Sequence, residues 1–315
     1  MTAPPPTPHP PSLTLAIIGD IHNHWTAADG EILQHLGVDL ALFVGDIGNE
    51  AVDLVRSIAA LPLPKAVILG NHDAWYTMTD WGRKKRPYDP KQEDWVQAQI
   101  QILGESHVGY GCLNFPDWSL SVVGSRPFSW GGPKWRNRRF YHDRFGVKNF
   151  AESADRIVEA AQSATGDRVI LMGHCGPTGL GDAPEDPCGK DWNPIGGDQG
   201  DPDFAAAIAT LQSQLPAQGK TIPLVVFGHM HHALRHTQSR LRCTEVTDPH
   251  SGTLFLNAAR TPRIQSLGDR SCHHFALIEL SGDRVTRSRQ IWATAAGDLW
   301  DVDQVAPQAR AKAFN

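Results

Sequence analysis

The chain has 315 residues, 41% of them hydrophobic and 20% charged, with a formal net charge of −5. That is ample for a sizeable core, and the acidic balance excludes an overall pull toward nucleic acid or a membrane surface. No apolar run is long enough to span a bilayer and no signal-like segment follows Met1. The five cysteines are scattered without a CxxC pair, which fits a reducing cytosol better than a disulfide framework.

Residues 1–12 are dominated by proline without apolar periodicity, so a disordered or polyproline-like tail is expected ahead of one domain over 13–300. Five short apolar runs follow, at 13–18, 40–44, 66–69, 169–172 and 224–227. They are rich in β-branched residues and read as strands buried on both faces. Helix-period segments lie between them. One carries Val52, Val55, Ile58 and Ala59, and another Ala151, Ala154, Ile157, Val158 and Ala161. This alternation predicts an α/β fold of βαβ units, with ligands beyond the carboxyl ends of the strands.

Each of the five runs ends in glycine and then offers metal-ligand side chains. The stretches are Gly19-Asp20-Ile21-His22, Gly45-Asp46-Ile47-Gly48-Asn49, Gly70-Asn71-His72-Asp73, Gly173-His174 and Gly228-His229-Met230-His231. A glycine there suits a chain that leaves a strand abruptly. The oxygen and nitrogen donors suit first-row divalent metals. Two such ions roughly 3.5–4 Å apart can clamp a phosphoryl group and generate hydroxide near neutral pH. Asp46 is the candidate bridging carboxylate. Asp20, His22 and His231 would complete one metal site, and Asn71, His174 and His229 the other. His72 is left over to protonate the leaving oxygen or bind phosphoryl charge. Asp73 is expected to hydrogen-bond His72 and fix its tautomer.

The ordered set DxH, GDxxN, GNHD, GH and GHxH resembles the calcineurin-like metallophosphoesterase superfamily from Asp20 to His231. The resemblance implies a two-sheet α/β sandwich with a dinuclear centre, and it supports the ligand set above. Manganese is the expected metal, with iron, zinc or magnesium as alternatives. The protein serine/threonine phosphatase branch carries GNHE at the third motif and an acidic-arginine-glycine extension after the second. This chain reads GNHD and GDIGNE, which argues against that branch. The stretches from His174 to Gly179 and from Pro187 to Trp192 resemble a branch found in cyanobacteria and plant plastids.

Two insertions are expected to decide the substrate. The first, about 74–150, carries six of the ten tryptophans and two basic runs. It reads as a lid in which Arg126, Arg136, Arg138 and Arg139 bind an anionic part of the substrate. A helix around Trp95, Ile102 and Leu103 and a strand over 120–123 are expected inside it. The second, 176–203, is rich in Gly, Pro and Asp. It could hold a cation, but pairing with the basic lid suits it better. After the last motif, strands are expected over 253–257, 273–280 and 284–292, in the second sheet, with a hairpin turn at 281–283 and a fraying tail over 301–315. The leading expectation is a cytoplasmic hydrolase for a small phosphomonoester. A nucleotide phosphodiesterase is the alternative, and a nuclease or non-catalytic scaffold stands behind both.

Overall fold

The computed structural model of the chain describes residues 11–302. Most of the proline-rich segment and the C-terminal residues after 302 therefore lie outside the described residues. The strands in chain order are β1 (Leu13–Ile18), β2 (Leu40–Phe43), β3 (Lys65–Val67), β4 (Cys112–Phe115), β5 (Leu120–Gly124), β6 (Arg168–Met172), β7 (Thr221–Phe227), β8 (Glu245–Thr247), β9 (Leu254–Asn257), β10 (Ile264–Leu267), β11 (Arg270–Ser281), β12 (Arg284–Ala293) and β13 (Leu299–Asp301). The helices are α1 (Ala27–His35), α2 (Val52–Ala59), α3 (Trp75–Met78), α4 (Asp80–Lys85), α5 (Trp95–Leu103), α6 (Arg138–Phe145), α7 (Phe150–Gln162) and α8 (Pro202–Gln214).

Successive side chains of a strand face opposite sides, and here that alternation sorts the core into three clusters. Leu15 and Ile17 of β1, Ile170 and Met172 of β6 and Leu224 and Val226 of β7 share one cluster, to which both sheets contribute. Ala16 and Ile18 of β1 instead pack with Ile32 of α1, Val55 and Ile58 of α2 and Leu103 of α5. Val169 and Leu171 of β6 pack with Ile157 of α7 and Phe204 of α8. The result is an α/β sandwich, two mixed sheets face to face with helices outside. Each fully buried Leu, Ile or Val contributes roughly 1.5–3 kcal/mol.

The first sheet runs β13-β12-β11-β1-β2-β3, with β10 also on β11, and the second runs β4-β5-β6-β7-β9-β8. Neighbours β1-β2-β3 and β5-β6-β7-β9 are parallel, while β11 lies antiparallel to β1. The five motif-bearing runs are thus divided between two sheets rather than lying in one. The expected C-terminal strands form, but only β9 joins the second sheet. β11 and β12 extend the first, because the long strand β11 covers the free edge of β1 from Leu13 to Ile17. Apolar periodicity sets which face a strand buries and carries no information about its neighbour.

The segment over 74–150 is not one lid. β4 and β5 lie inside it, and β5 is fully buried beside β6, so the second sheet begins within the expected insertion. What stands outside the sheets is α3, α4 and α5 on one side of that hairpin and α6 on the other. The 176–203 segment likewise runs into α8, whose start is set by Pro202 at the first turn after Asp201. Among the described residues, no helix is long and apolar enough to cross a membrane.

Candidate functional site

The loops after β1, β2, β3, β6 and β7 meet at one end of the sandwich because their backbones are tied together. Asp20 N–H donates to Gly45 O at 3.0 Å and His22 N–H to Asp46 O at 2.8 Å. The carboxylates take part too, since Asp46 Oδ1 accepts the His72 N–H at 2.8 Å and Asp20 Oδ2 the His229 N–H at 2.9 Å. Approach this close needs Gly45, where φ is +92° and a Cβ would lie 2.5 Å from Gly70 N. Asp20, His22, Asp46 and His229 themselves have φ between 45° and 69°. Such backbone is costly for residues with a Cβ and collects at functional sites.

The side chains so placed form two adjoining groups. In one, His231 Nε2 lies 3.2 Å from both Asp20 Oδ1 and His22 Nε2. In the other, His174 Nε2 lies 3.0 Å from Asn71 Oδ1 and 3.2 Å from His229 Nδ1. Asp46 stands between them, Oδ2 at 3.8 Å from His22 Nε2 and Oδ1 at 3.3 Å from His174 Nε2. All seven residues expected as ligands are therefore brought together.

The donor chemistry fits divalent cations. His174 Nδ1 donates to Val44 O at 2.7 Å, which leaves the Nε2 lone pair of a neutral ring facing the Asn71 oxygen and His229. Acceptors crowded in this way need a cation among them. Asp20 Oδ1 is buried with only the His231 ring beside it, at 3.2 Å and without hydrogen-bond geometry, an arrangement that a cation also explains. Without one, a proton takes its place. Burial depresses the His174 imidazole, but Asp46, Asp20 and the Val44 carbonyl outweigh it and lift His174 to about 10. Burial, then His174, pushes His229 down to about 3, so it stays a neutral donor. Burial would raise Asp46, yet His174 and His72 hold it well below the usual carboxylate range. Cys175 brings its sulfur within 4.8 Å of ligand atoms of His174 and His229, and its buried thiol donates to Ser129 O at 3.5 Å.

His72 lies beside this cluster, its Nε2 4.0 Å from Asp46 Oδ2. Its partner is not Asp73. The Asp73 carboxylate turns away and accepts the backbone N–H groups of Ile47, Gly48 and Gly70 at 2.9, 3.2 and 2.7 Å. Burial and the Asp46 charge push Asp73 up, and the N–H donors pull it back. Asp73 therefore clamps the second motif loop onto the third. Asn49 takes the role expected of Asp73, its Oδ1 lying 2.6 Å from His72 Nδ1. The signal for Asn49 lay in the GDxxN motif, where it follows Asp46 by three residues. Sequence adjacency favoured Asp73 only because chain distance was standing in for space. Trp75 stacks on the His72 ring at 4.7 Å and on Trp130 at 5.6 Å.

The four lid arginines divide. Arg126 is buried, its Nε 2.7 Å from Asp203 Oδ2 and its Nη2 2.6 Å from Asp201 Oδ1. Its guanidinium also lies 4.9 Å from the centre of the Trp135 ring. With both carboxylates engaged, Arg126 holds the 176–203 segment against the second sheet and has no free face for substrate. This is the pairing of acidic loop and basic segment that the composition suggested. Arg136, Arg138 and Arg139 are exposed, Arg139 making an ion pair with Asp143 at 3.3 Å. None of the three is tied to the metal-ligand cluster.

Fold and site together define a metal-dependent phosphoester hydrolase. The calcineurin-like phosphoesterase family matches residues 13–233, and the chain belongs to that family. No curated protein matches the chain. Among solved structures, one crystal structure aligns over 89% of this chain and 99% of its own at 12% identity, with a TM-score of 0.50, a likeness of fold alone. A dimetal phosphatase from Danio rerio aligns over 90% of this chain and 95% of its own, at 14% identity and a TM-score of 0.41. A metallophosphoesterase from Sphaerobacter thermophilus aligns over 85% and 84%, at 15% identity and a TM-score of 0.32.

Proposed function

We propose that the protein hydrolyses a small phosphomonoester at a two-ion centre, to which Asp46, standing between the two ligand groups, would contribute on both sides. Asp20, His22 and His231 would hold one ion, and Asn71, His174 and His229 the other. Manganese suits this mixed oxygen and imidazole set. When bound, the two ions neutralise phosphoryl charge and make a water acidic enough to attack near neutral pH. The chain's own residues then orient and protonate. Asn49 accepts from His72 Nδ1, which directs Nε2 toward the cluster for delivery of a proton to the leaving oxygen. Trp75 fixes the ring plane by stacking. Asp73 keeps the loops of Asp46 and Asn71 at a constant separation.

The observation that carries the monoester reading is the position of Asn49. It also lines an open groove of about 1090 Å³ with Asn23, Trp25, Tyr76 and Trp95, so a leaving group seated there lies on the His72 side. The charged residues lining that groove are Glu50, Asp53 and Glu93, which disfavours a polyanion such as nucleic acid. A phosphodiesterase for nucleotides is supported by one feature. Trp81 is 58% exposed and lies 5.9 Å from Trp75, offering a base a ring to stack on.

A panel of phosphate mono- and diesters assayed with Mn²⁺, Mg²⁺ and Zn²⁺ tests the proposal. Monoesters should give the highest kcat/KM. His72→Ala should keep its metals while kcat falls roughly 10²–10⁴-fold for poor leaving groups, and less for an activated aryl phosphate. Turnover of diesters alone would overturn the monoester reading, and equal losses for both leaving groups would remove the general-acid role.

A further inference from the structure

The groove beside Asn49 runs from the metal-ligand cluster along α2, and its lining sets what it can hold. Its head is made by Asn49, whose side chain engages His72, and by Asn23, which follows His22 directly. The His22 and His72 rings lie 4.8 Å apart, edge to face. A Cβ at Gly48 would lie 2.3 Å from Asn23 Oδ1, so glycine there lets the two loops close on each other. Past this point the lining turns apolar. Leu54 of α2, Leu61 beyond it, Tyr76 of α3 and Trp95 of α5 are each half-buried along the groove. Trp95 is held fixed, its ring stacked on Tyr88 at 4.4 Å and its Nε1 donating to Glu93 at 2.8 Å.

The charge balance of the groove is one-sided. The arginines around it are engaged elsewhere. Arg56 pairs with Asp53 at 2.6 Å, and Arg263, over the Trp25 ring, pairs with Asp29 at 2.7 Å. Arg86 donates through Nε and Nη2 to the Tyr76 carbonyl at 3.2 and 2.9 Å. Glu50 and Glu93 have no ion pair among the described residues. Glu50 accepts from the Thr77 N–H and the Tyr88 hydroxyl, each at 2.6 Å. Burial raises Glu50, while Glu93 stands exposed at the groove. A second anionic group on a ligand is therefore opposed, whereas each methylene fully buried favours binding about fourfold.

Resting on the monoester reading, we infer that this groove is the subsite for the alcohol part of the substrate, and that the alcohol is bulky and apolar and carries no second anionic group. An alcohol leaving on the His72 side passes Asn49 and enters the groove. A cationic end on it is favoured over an anionic one by Glu93. Alcohols that keep a further phosphate or a carboxylate are poor substrates for the same reason.

The test uses the metal-loaded full chain and aryl monoesters of matched leaving-group acidity. These are phenyl phosphate and its para-substituted relatives with a butyl, a 4-(trimethylammonio)butyl or a 4-carboxybutyl chain. Relative to phenyl phosphate, kcat/KM should rise about 10-fold for the butyl chain. It should fall about 10-fold from the ammonium to the carboxylate. Glu93→Lys should reverse the order of those two, which a merely structural role for Glu93 would not do, and Leu54→Gln should shrink the butyl advantage. Hydrolysis of phenyl phosphate with no preference among the chains, or the parental charge order in Glu93→Lys, overturns the inference and leaves the monoester reading standing. If no monoester is turned over, that reading fails, and calorimetry with the matching phenols decides the groove. Binding of the butyl and ammonium phenols that weakens in Leu54→Gln keeps the subsite, and absence of binding removes it.

Discussion

The His72 imidazole donates from Nδ1 to the side-chain oxygen of Asn49 at 2.6 Å, across the gap between the second and third motif loops. That bond fixes which nitrogen faces the metal-ligand cluster. Replacing Asn49 with Leu keeps the volume and removes the acceptor. Partners of this kind are worth roughly 10–100-fold in activity. Asn49→Leu should therefore lower kcat by that factor with metal content unchanged, as measured by steady-state kinetics and elemental analysis. A variant with parental kcat would show that Trp75 stacking alone orients the ring.

Among the described residues, Asp46 is the carboxylate that lies within 4 Å of imidazole nitrogens of both groups, at 3.8 Å from His22 and 3.3 Å from His174. Asp46→Asn should reduce bound metal and hydrolysis together, since a neutral amide cannot screen two closely spaced cations. The thermal readout should move in the same sense. Metals that bind only the folded chain add about 2.7 kcal/mol at a hundredfold excess over Kd, so chelation should lower the parent Tm more than that of the variant. Two metals per chain in Asp46→Asn, with normal turnover, would contradict a bridging role.

Much of this centre was legible because its signals are local. A strand-like run, a glycine and a ligand residue fit within a few positions, and five repetitions of that pattern mark the ends of β1, β2, β3, β6 and β7. What was illegible depends on distance in space. Asp73 is next to His72 in sequence, yet the turn from Asn71 through Ala74 swings its carboxylate back onto Gly70, Ile47 and Gly48. Arg126 follows a strand that points at the site, and nothing in its own neighbourhood announces Asp201 and Asp203, which are 75 and 77 residues away.

Asp29 supplies a pH test remote from the metals. Its buried carboxylate lies 2.7 Å from Arg263 Nη1 and 2.8 Å from His273 Nδ1. Burial would raise it, but Arg263 and His273 together hold it below its ordinary value of 3.8. A depressed carboxyl contributes stability that is complete above the unfolded value and is lost as pH falls through the folded one. Asp29→Asn strands the Arg263 charge, and a broken buried pair costs about 3–5 kcal/mol near neutral pH. Urea unfolding should show the gap between parent and variant constant from pH 7 to 5 and closing below 3.8. A gap that widens on acidification would contradict the pairing.

The arginines of the former lid separate into two classes that mutagenesis should tell apart. Arg126→Met leaves Asp201 and Asp203 buried without their cation, which should cost about 3–5 kcal/mol in urea unfolding. The loss should appear as stability rather than as a change in KM, because the guanidinium has no surface open to a ligand. Arg136, Arg138 and Arg139 behave oppositely. They are exposed, Arg139 with 95% of its side chain in solvent, and an exposed pair such as Arg139–Asp143 is worth at most about 1 kcal/mol. Converting all three to Gln should leave stability within about that margin and leave aryl phosphate hydrolysis unchanged, because none of them contacts the metal-ligand cluster. A raised KM confined to larger anionic substrates would assign them to recognition at the rim. Parental kinetics on every substrate would make the cluster a solvated face, and Trp81 with the groove beside Asn49 would then carry specificity.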